Sequence, residues 1–150
     1  LSLYNVDGNH QPTGSPLCSA TISTSSVRSR IGRTLSWCTF MFPSGYVVSA
    51  NTEYAMVVSG NGGNSLNKVL VAINPGGGYS RGECGITKTN GVSWQAMPGS
   101  DMSFLEQENT WCEQQLLGKS AISVYGQYQL CQTFTPWRSH YFNYASFILY

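Results

Sequence analysis

Apolar and polar residues alternate along most of this chain in short runs. In residues 35–42, Trp37, Thr39 and Met41 fall on one side of an extended backbone, and Cys38, Phe40 and Phe42 on the other. Both sides carry bulk, which predicts a strand buried on two faces or lying at an interface. Residues 53–59 place Tyr54, Met56 and Val58 on one face in the same way. Residues 1–6, 18–23, 46–48, 68–74, 84–88, 92–96, 102–106, 121–125, 128–134 and 144–150 also read as strands. Turn-forming residues separate them: Asp7-Gly8, the proline- and glycine-bearing 11–16, Pro43-Ser44-Gly45, Ala50-Asn51-Thr52, the glycine-rich 60–65, residues 75–78 and residues 136–140. Asn90-Gly91 is a favoured two-residue hairpin turn. Residues 108–120 lose the alternation, and their Gln, Glu and Leu content predicts a linker.

Short strands with a turn signal about every ten residues point to an all-β fold, a two-sheet antiparallel sandwich of jelly-roll or immunoglobulin-like kind. No run reads as a helix long enough to cover a parallel sheet, which argues against an α/β fold. The predicted layout is a main body at 1–107, the linker at 108–120, and C-terminal strands at 121–150 that complete the sandwich of the same or the next copy.

Composition narrows the setting. A chain of 150 residues can bury a core without a metal or a dense set of disulfides. Only 10% of residues are charged, against the usual quarter, so Ser, Thr, Asn, Gln and Gly must cover the surface. Such a coat predicts an extracellular, cell-surface or virion-surface protein. A net charge of +1 gives no footprint for nucleic acid, and Arg28, Arg30 and Arg33 read as a solvated loop. No run is apolar and long enough to span a membrane. The chain starts at Leu1 inside a strand pattern, without an initiator Met or a leader, which predicts a mature product or a unit of something longer. Cys18, Cys38, Cys84, Cys112 and Cys131 are disulfide candidates; an oxidising setting predicts two bridges and one spare thiol, with the pairing open and buried small side chains as the alternative.

The chemical motifs are thin. Gly118-Lys119-Ser120 resembles the end of a phosphate-binding loop, but Glu113 stands where its first glycine belongs. Residues 87–94 resemble the Asp-box hairpin of sialidase-type proteins through Thr87, Gly91, Ser93 and Trp94, with Thr89 at the Asp position; that hairpin is a structural staple. His10 and His140 lie in no nucleophile pattern, and both are read as surface or packing residues. No two of Glu53, Glu83, Asp101, Glu106, Glu108 and Glu113 are marked as a glycosidase pair. The carboxylates are too sparse for a calcium cage. The expectation is therefore no catalysis, no cofactor and no metal. Aromatics are abundant: Tyr79, Trp111, Trp137 and Tyr141, in loop-like contexts, are candidates for stacking on a ligand, whereas Trp37 and Trp94 are read as core.

Several segments together carry a resemblance. They are residues 131–136 (CQTFTP), 147–150 (FILY), 12–18 (PTGSPLC), 37–40 (WCTF), 51–58 (NTEYAMVV), 91–94 (GVSW) and 101–104 (DMSF). In these the chain resembles the jelly-roll-like β-sandwich repeat module of phage structural proteins and bacterial or archaeal surface proteins, in apparently permuted order: the segments that open the family's domain stand here at 121–150. The resemblance implies a binding or structural module without a catalytic site. Its permutation implies a subunit or repeat of an extracellular filament, sheath or virion fibre, joined head to tail by β-strand complementation. Phe134, Phe147, Leu149 and Tyr150, with Leu1 and Leu3, would form the assembly interface, and the partner would be another copy or a tandem repeat. The alternative is a non-catalytic adhesion module that binds a carbohydrate or receptor. For either role we expect a far-UV circular dichroism spectrum of β type; a helix content above about one fifth would contradict the sandwich.

Overall fold

A computed structural model describes residues 1–23, 25, 27, 36–60, 62–108, 111–115 and 120–149. Its strands are β1 (Ser2–Val6), β2 (Pro12–Ser19), β3 (Ser36–Val48), β4 (Tyr54–Ser59), β5 (Val69–Asn74), β6 (Cys84–Thr87), β7 (Gln95–Met97), β8 (Asp101–Met102), β9 (Phe104–Glu108), β10 (Trp111–Gln115), β11 (Ser120–Val124), β12 (Gln129–Phe134) and β13 (His140–Leu149). Among the described residues they form two antiparallel sheets packed face to face, as the alternation predicts. Sheet A runs β2-β1-β4-β12-β6-β7. In sheet B, β13 pairs with β3 along one side and with β9 and β5 along the other, and β10 and β11 lie outside β9 and β5.

The β8–β9 segment forks sheet B. β8 pairs with β5, and β9 pairs with β13. At the fork, the Ser103 N–H donates to the Ala72 carbonyl (2.9 Å), and the Ser103 carbonyl accepts from Ile148 N–H (3.3 Å). Gln132 crosses from β12 to support it: its Oε1 accepts Met102 N–H at 2.7 Å, and its Nε2 donates to Asp101 Oδ1 at 3.2 Å. A fully buried amide on sheet A thus satisfies backbone and side-chain groups that sheet B leaves over.

The core between the sheets is aromatic. Phe42, Phe142, Phe134 and Tyr54 make a continuous row, with successive centroids 5.0, 5.8 and 6.0 Å apart. Phe40, Phe147, Phe104 and Tyr79 make a second, at 6.4, 6.4 and 5.1 Å. These spacings suit offset and edge-to-face contacts. One polar pair is buried with them. His140 Nε2 lies 2.6 Å from Glu106 Oε1, with side chains only 6% and 1% exposed, and Nδ1 lies 3.1 Å from the Arg138 carbonyl. Of the two readings, surface or packing, His140 takes the packing one. The sequence hides the pair because 34 positions separate its members.

Several predicted boundaries also move. Residues 12–16, predicted as a turn, belong to β2, which tolerates Pro12 and Pro16 because it is the edge of sheet A. Pro43-Ser44-Gly45 does not end a strand. β3 continues through it as a wide bulge, with pairing shifting between Tyr46↔Phe142 and Met41↔Tyr144. β3 keeps its inward phase across the bulge, so Phe42 and Val48, six positions apart, are both buried while Met41 and Val47 on the outer face are exposed; the phase shifts instead on β13, where Phe142 and Ala145 are both buried. β3 is therefore covered on one face only within the chain, not on both. The predicted linker at 108–120 contains β10, paired with β9 from Trp111↔Glu108 to Gln115↔Phe104. The predicted strand at 92–96 shortens to β7.

The strands within 120–149 all pair inside the chain. β11 pairs with β5, β12 lies between β4 and β6, and β13 between β3 and β9. Of the residues expected at an assembly interface, Leu1, Leu3, Phe134, Phe147 and Leu149 are buried in the chain's own core, and Tyr150 lies outside the described residues. The Arg28, Arg30 and Arg33 cluster also lies outside them.

Phe134→Ala should cost about 3–5 kcal/mol through the cavity it opens. Glu106→Ala should cost about 3–5 kcal/mol by leaving His140 buried without its carboxylate. Met41→Ser, at a 75% exposed position, should stay within about 0.5 kcal/mol. Urea unfolding of the three variants checks the order; equal losses would contradict this core.

Candidate functional site

The outer face of sheet A is concave and largely covered. Its central positions carry small side chains: Ala55 and Val57 on β4, Cys131 and Thr133 on β12, and Gly85 on β6. The first four are at most 4% exposed. Two loops lie over this floor and leave a trough of about 490 Å³ between them, lined by Tyr4, Asp7, Gln11, Asn90, Trp94 and Gln129 among others.

The first wall is the turn between β1 and β2. Asp7 Oδ1 accepts the N–H groups of Asn9 (2.8 Å) and Gln11 (3.0 Å), an Asx turn that the short side chain of Asp makes possible. The His10 N–H donates to the Asp7 carbonyl at 3.1 Å, and the turn holds His10 at a φ of 60°. A left-handed non-glycine residue is uncommon and needs such support. His10 Nδ1 then meets Glu53 Oε2 at 2.6 Å, tying this turn to the one before β4.

The second wall is the loop between β6 and β7. Asn90 (φ 54°) and Gly91 (φ 84°) are both left-handed, and Val92 N–H donates to the Thr89 carbonyl at 3.2 Å. This is the hairpin-type turn that Asn-Gly predicts. Thr89 Oγ1 accepts Ser93 N–H at 3.0 Å, and Thr87 Oγ1 accepts Thr89 N–H at 3.2 Å. The hydroxyl of Thr89 thus staples the loop at the position where the resemblance expects a carboxylate. Gln129 Nε2 donates to Asn90 Oδ1 at 2.7 Å, fixing the loop to β12. Gln11 Nε2 reaches the Trp94 carbonyl at 3.4 Å and joins the two walls.

Trp94, read from the sequence as core, is half-buried and lines the trough. It lies over Gly85, where an added Cβ would stand 3.9 Å from Trp94 Cε3 and 2.9 Å from Cys131 Sγ. No sequence pattern marks Trp94 as a wall; its position follows from the loop turning back across the sheet. The aromatics expected to stack on a ligand are not gathered here. Tyr79 packs edge-on against Phe104. Trp137 (51% exposed, its ring 5.8 Å from Arg138) and Tyr141 (45% exposed) belong to the turn before β13 and to β13 in the other sheet. The side chain of Trp111 lies outside the described residues.

The cysteines are structural. Cys18, Cys84 and Cys131 are free thiols. Three of the five are unbonded in this structure, which fits the alternative of small packing side chains rather than two bridges. Cys84 and Cys131 sit on adjacent strands but on opposite faces of sheet A, so their sulfurs point apart. Cys38 is buried in the core, and the side chain of Cys112 lies outside the described residues. Burial pushes the Cys84 thiol up to about 12 and Cys18 to about 11, and raises Cys131 too, so none has thiolate character near neutral pH. Among the described residues no group of three His, Cys, Asp or Glu is placed to hold a metal ion.

The hydrogen bond from Glu53, and then its charge, raise the His10 pKa above its ordinary value. A raised histidine stabilises the fold below its unfolded pKa and loses that contribution as pH rises through the folded one. NMR titration should place His10 above about 6.5 in the intact chain and closer to that value in Glu53→Gln. An unchanged midpoint would contradict the tie between the loops.

Set beside family models, curated proteins and solved structures, the chain matches none of them, and its role has to be argued from this geometry.

Proposed function

We propose that this chain is a non-catalytic binding module that takes a carbohydrate in the trough on the outer face of sheet A. The observation that carries this reading is the trough itself. Its surface is mainly polar, with groups already held in place by protein hydrogen bonds, and half-buried Trp94 and Tyr4 are among its lining residues. Sugars present apolar C–H faces to aromatic rings and hydroxyls to amides and carboxylates, so this pairing of wall chemistries suits them. Pre-set side chains also lower the entropy lost on binding. The sparse charge of the chain is in keeping with an adhesion role on a cell or virion surface.

The strand-donating subunit is the competing role. Residues 120–149 supply the middle strands of both sheets from within the chain, so donation would require a neighbour to displace them. That internal closure supports a binding module over a head-to-tail fibre built by complementation.

Isothermal titration against a panel of oligosaccharides tests the proposal. We expect at least one to bind, with Trp94→Ala and Tyr4→Ala each weakening it about tenfold, or ~1.4 kcal/mol, and Tyr141→Ala leaving it unchanged. Binding indifferent to Trp94 and Tyr4, or no binding across the panel, would overturn it.

A further inference from the structure

We propose that the trough selects uncharged, hydroxyl-rich glycans over acidic ones, and that Asp7 is the residue that discriminates. The inference rests on the carbohydrate reading of the trough and specifies its ligand class.

Asp7 is the one carboxylate among the trough's described lining residues. Among the described residues no lysine or arginine lines it, so these walls offer a sugar carboxylate or sulfate no counter-charge. The Asx turn fixes the orientation of Asp7, because Oδ1 holds two backbone N–H groups. The side chain cannot swing away from an incoming anion without breaking that turn. The carboxylate is also partnered by the Asn9 side chain, but its two oxygens have lone pairs to spare for hydroxyl protons, and a carboxylate is the strongest acceptor for a sugar hydroxyl. The backbone bonds from Gln11 and Asn9 hold its pKa below the ordinary value, so it stays charged through the neutral range. Asn90 and Gln129 face the same space. Their mutual bond uses Asn90 Oδ1 and one Gln129 Nε2 proton, leaving Asn90 Nδ2 as a donor and Gln129 Oε1 as an acceptor. An acceptor-rich wall with amide donors matches the mixed donor and acceptor character of neutral sugar hydroxyls. Beyond the trough, the adjoining recess is lined by Glu83 and by His10, whose charge is matched by Glu53.

The test compares matched ligands on the full chain: neutral galacto-oligosaccharides against oligogalacturonates, with chitosan oligomers as a cationic arm. We expect neutral or cationic chains to bind at least about tenfold tighter than the acidic ones. Asp7→Asn keeps an oxygen acceptor for the Asx turn and should narrow the gap to within about threefold by improving the acidic ligands. Because Asp7 is exposed, about 0.5 M salt should narrow the gap in the unmutated chain as well. Acidic chains binding equally or better, or a gap that neither Asp7→Asn nor salt changes, would overturn the inference. In that case Trp94-dependent binding of any sugar would leave the carbohydrate reading intact. Loss of all binding would overturn both.

Discussion

The stack of Phe134 on Phe142, centroids 5.8 Å apart, is the contact on which the sandwich depends. Phe134 ends β12, which lies between β4 and β6 in sheet A. Phe142 opens β13, which lies between β3 and β9 in sheet B. A connection of a few residues thus places one central strand in each sheet and sets the sheets face to face. The remaining strands then have little freedom: β4 and β6 must pair outward from β12, and β3, β9 and β5 outward from β13. Gln132 adds direction to this apolar contact, since its amide bonds fit only if β8 and β12 are in register.

The trough follows from the same arrangement. With the large side chains of β4 and β12 committed inward as Tyr54, Met56, Leu130 and Phe134, the alternating outward positions carry Ala55, Val57, Cys131 and Thr133. Small residues on that face let two loops settle onto the sheet. Gly85 adds room, because a Cβ there would press on the Cys131 sulfur. Loops bonded at their bases by Asp7 and by Thr87 and Thr89 then stand as walls. Inner packing and outer concavity are two consequences of one strand period.

Much of the fold was legible because period-two alternation survives in β4, β12 and β13, where one face meets the other sheet. It failed where a local rule was overridden. Pro12 and Pro16 read as turn residues, yet an edge strand needs no ladder bond on its outer side. Pro43-Ser44-Gly45 reads as a break, yet a bulge absorbs it and β3 continues on the same phase. Residues 111–115 have no apolar alternation because they form an outer strand of sheet B, paired among the described residues with β9. The site was less legible than the fold. Asn90-Gly91 announced its turn, but nothing local tells Trp94 to lie over Gly85 rather than enter the core. The loop-like aromatics Tyr79, Trp137 and Tyr141 went to other places, because loop composition does not say which sheet a loop will cover.

The placement of the few charges bears on the choice between binding and catalysis. Each of the two histidines is matched to a glutamate at 2.6 Å: His10 with Glu53 at the surface, His140 with Glu106 inside. Asp101 is held by Gln132 and by the Tyr79 N–H, and Asp7 by the turn it makes. These acids and bases therefore join loops to strands and one sheet to the other. A general acid or base needs a titratable group with an open face toward a reacting atom. Among its described lining residues the trough presents one carboxylate, Asp7, beside a Trp, a Tyr and amides. That combination suits the proposed recognition of a polar ligand, since hydrogen-bonding groups held in place can discriminate without many charges.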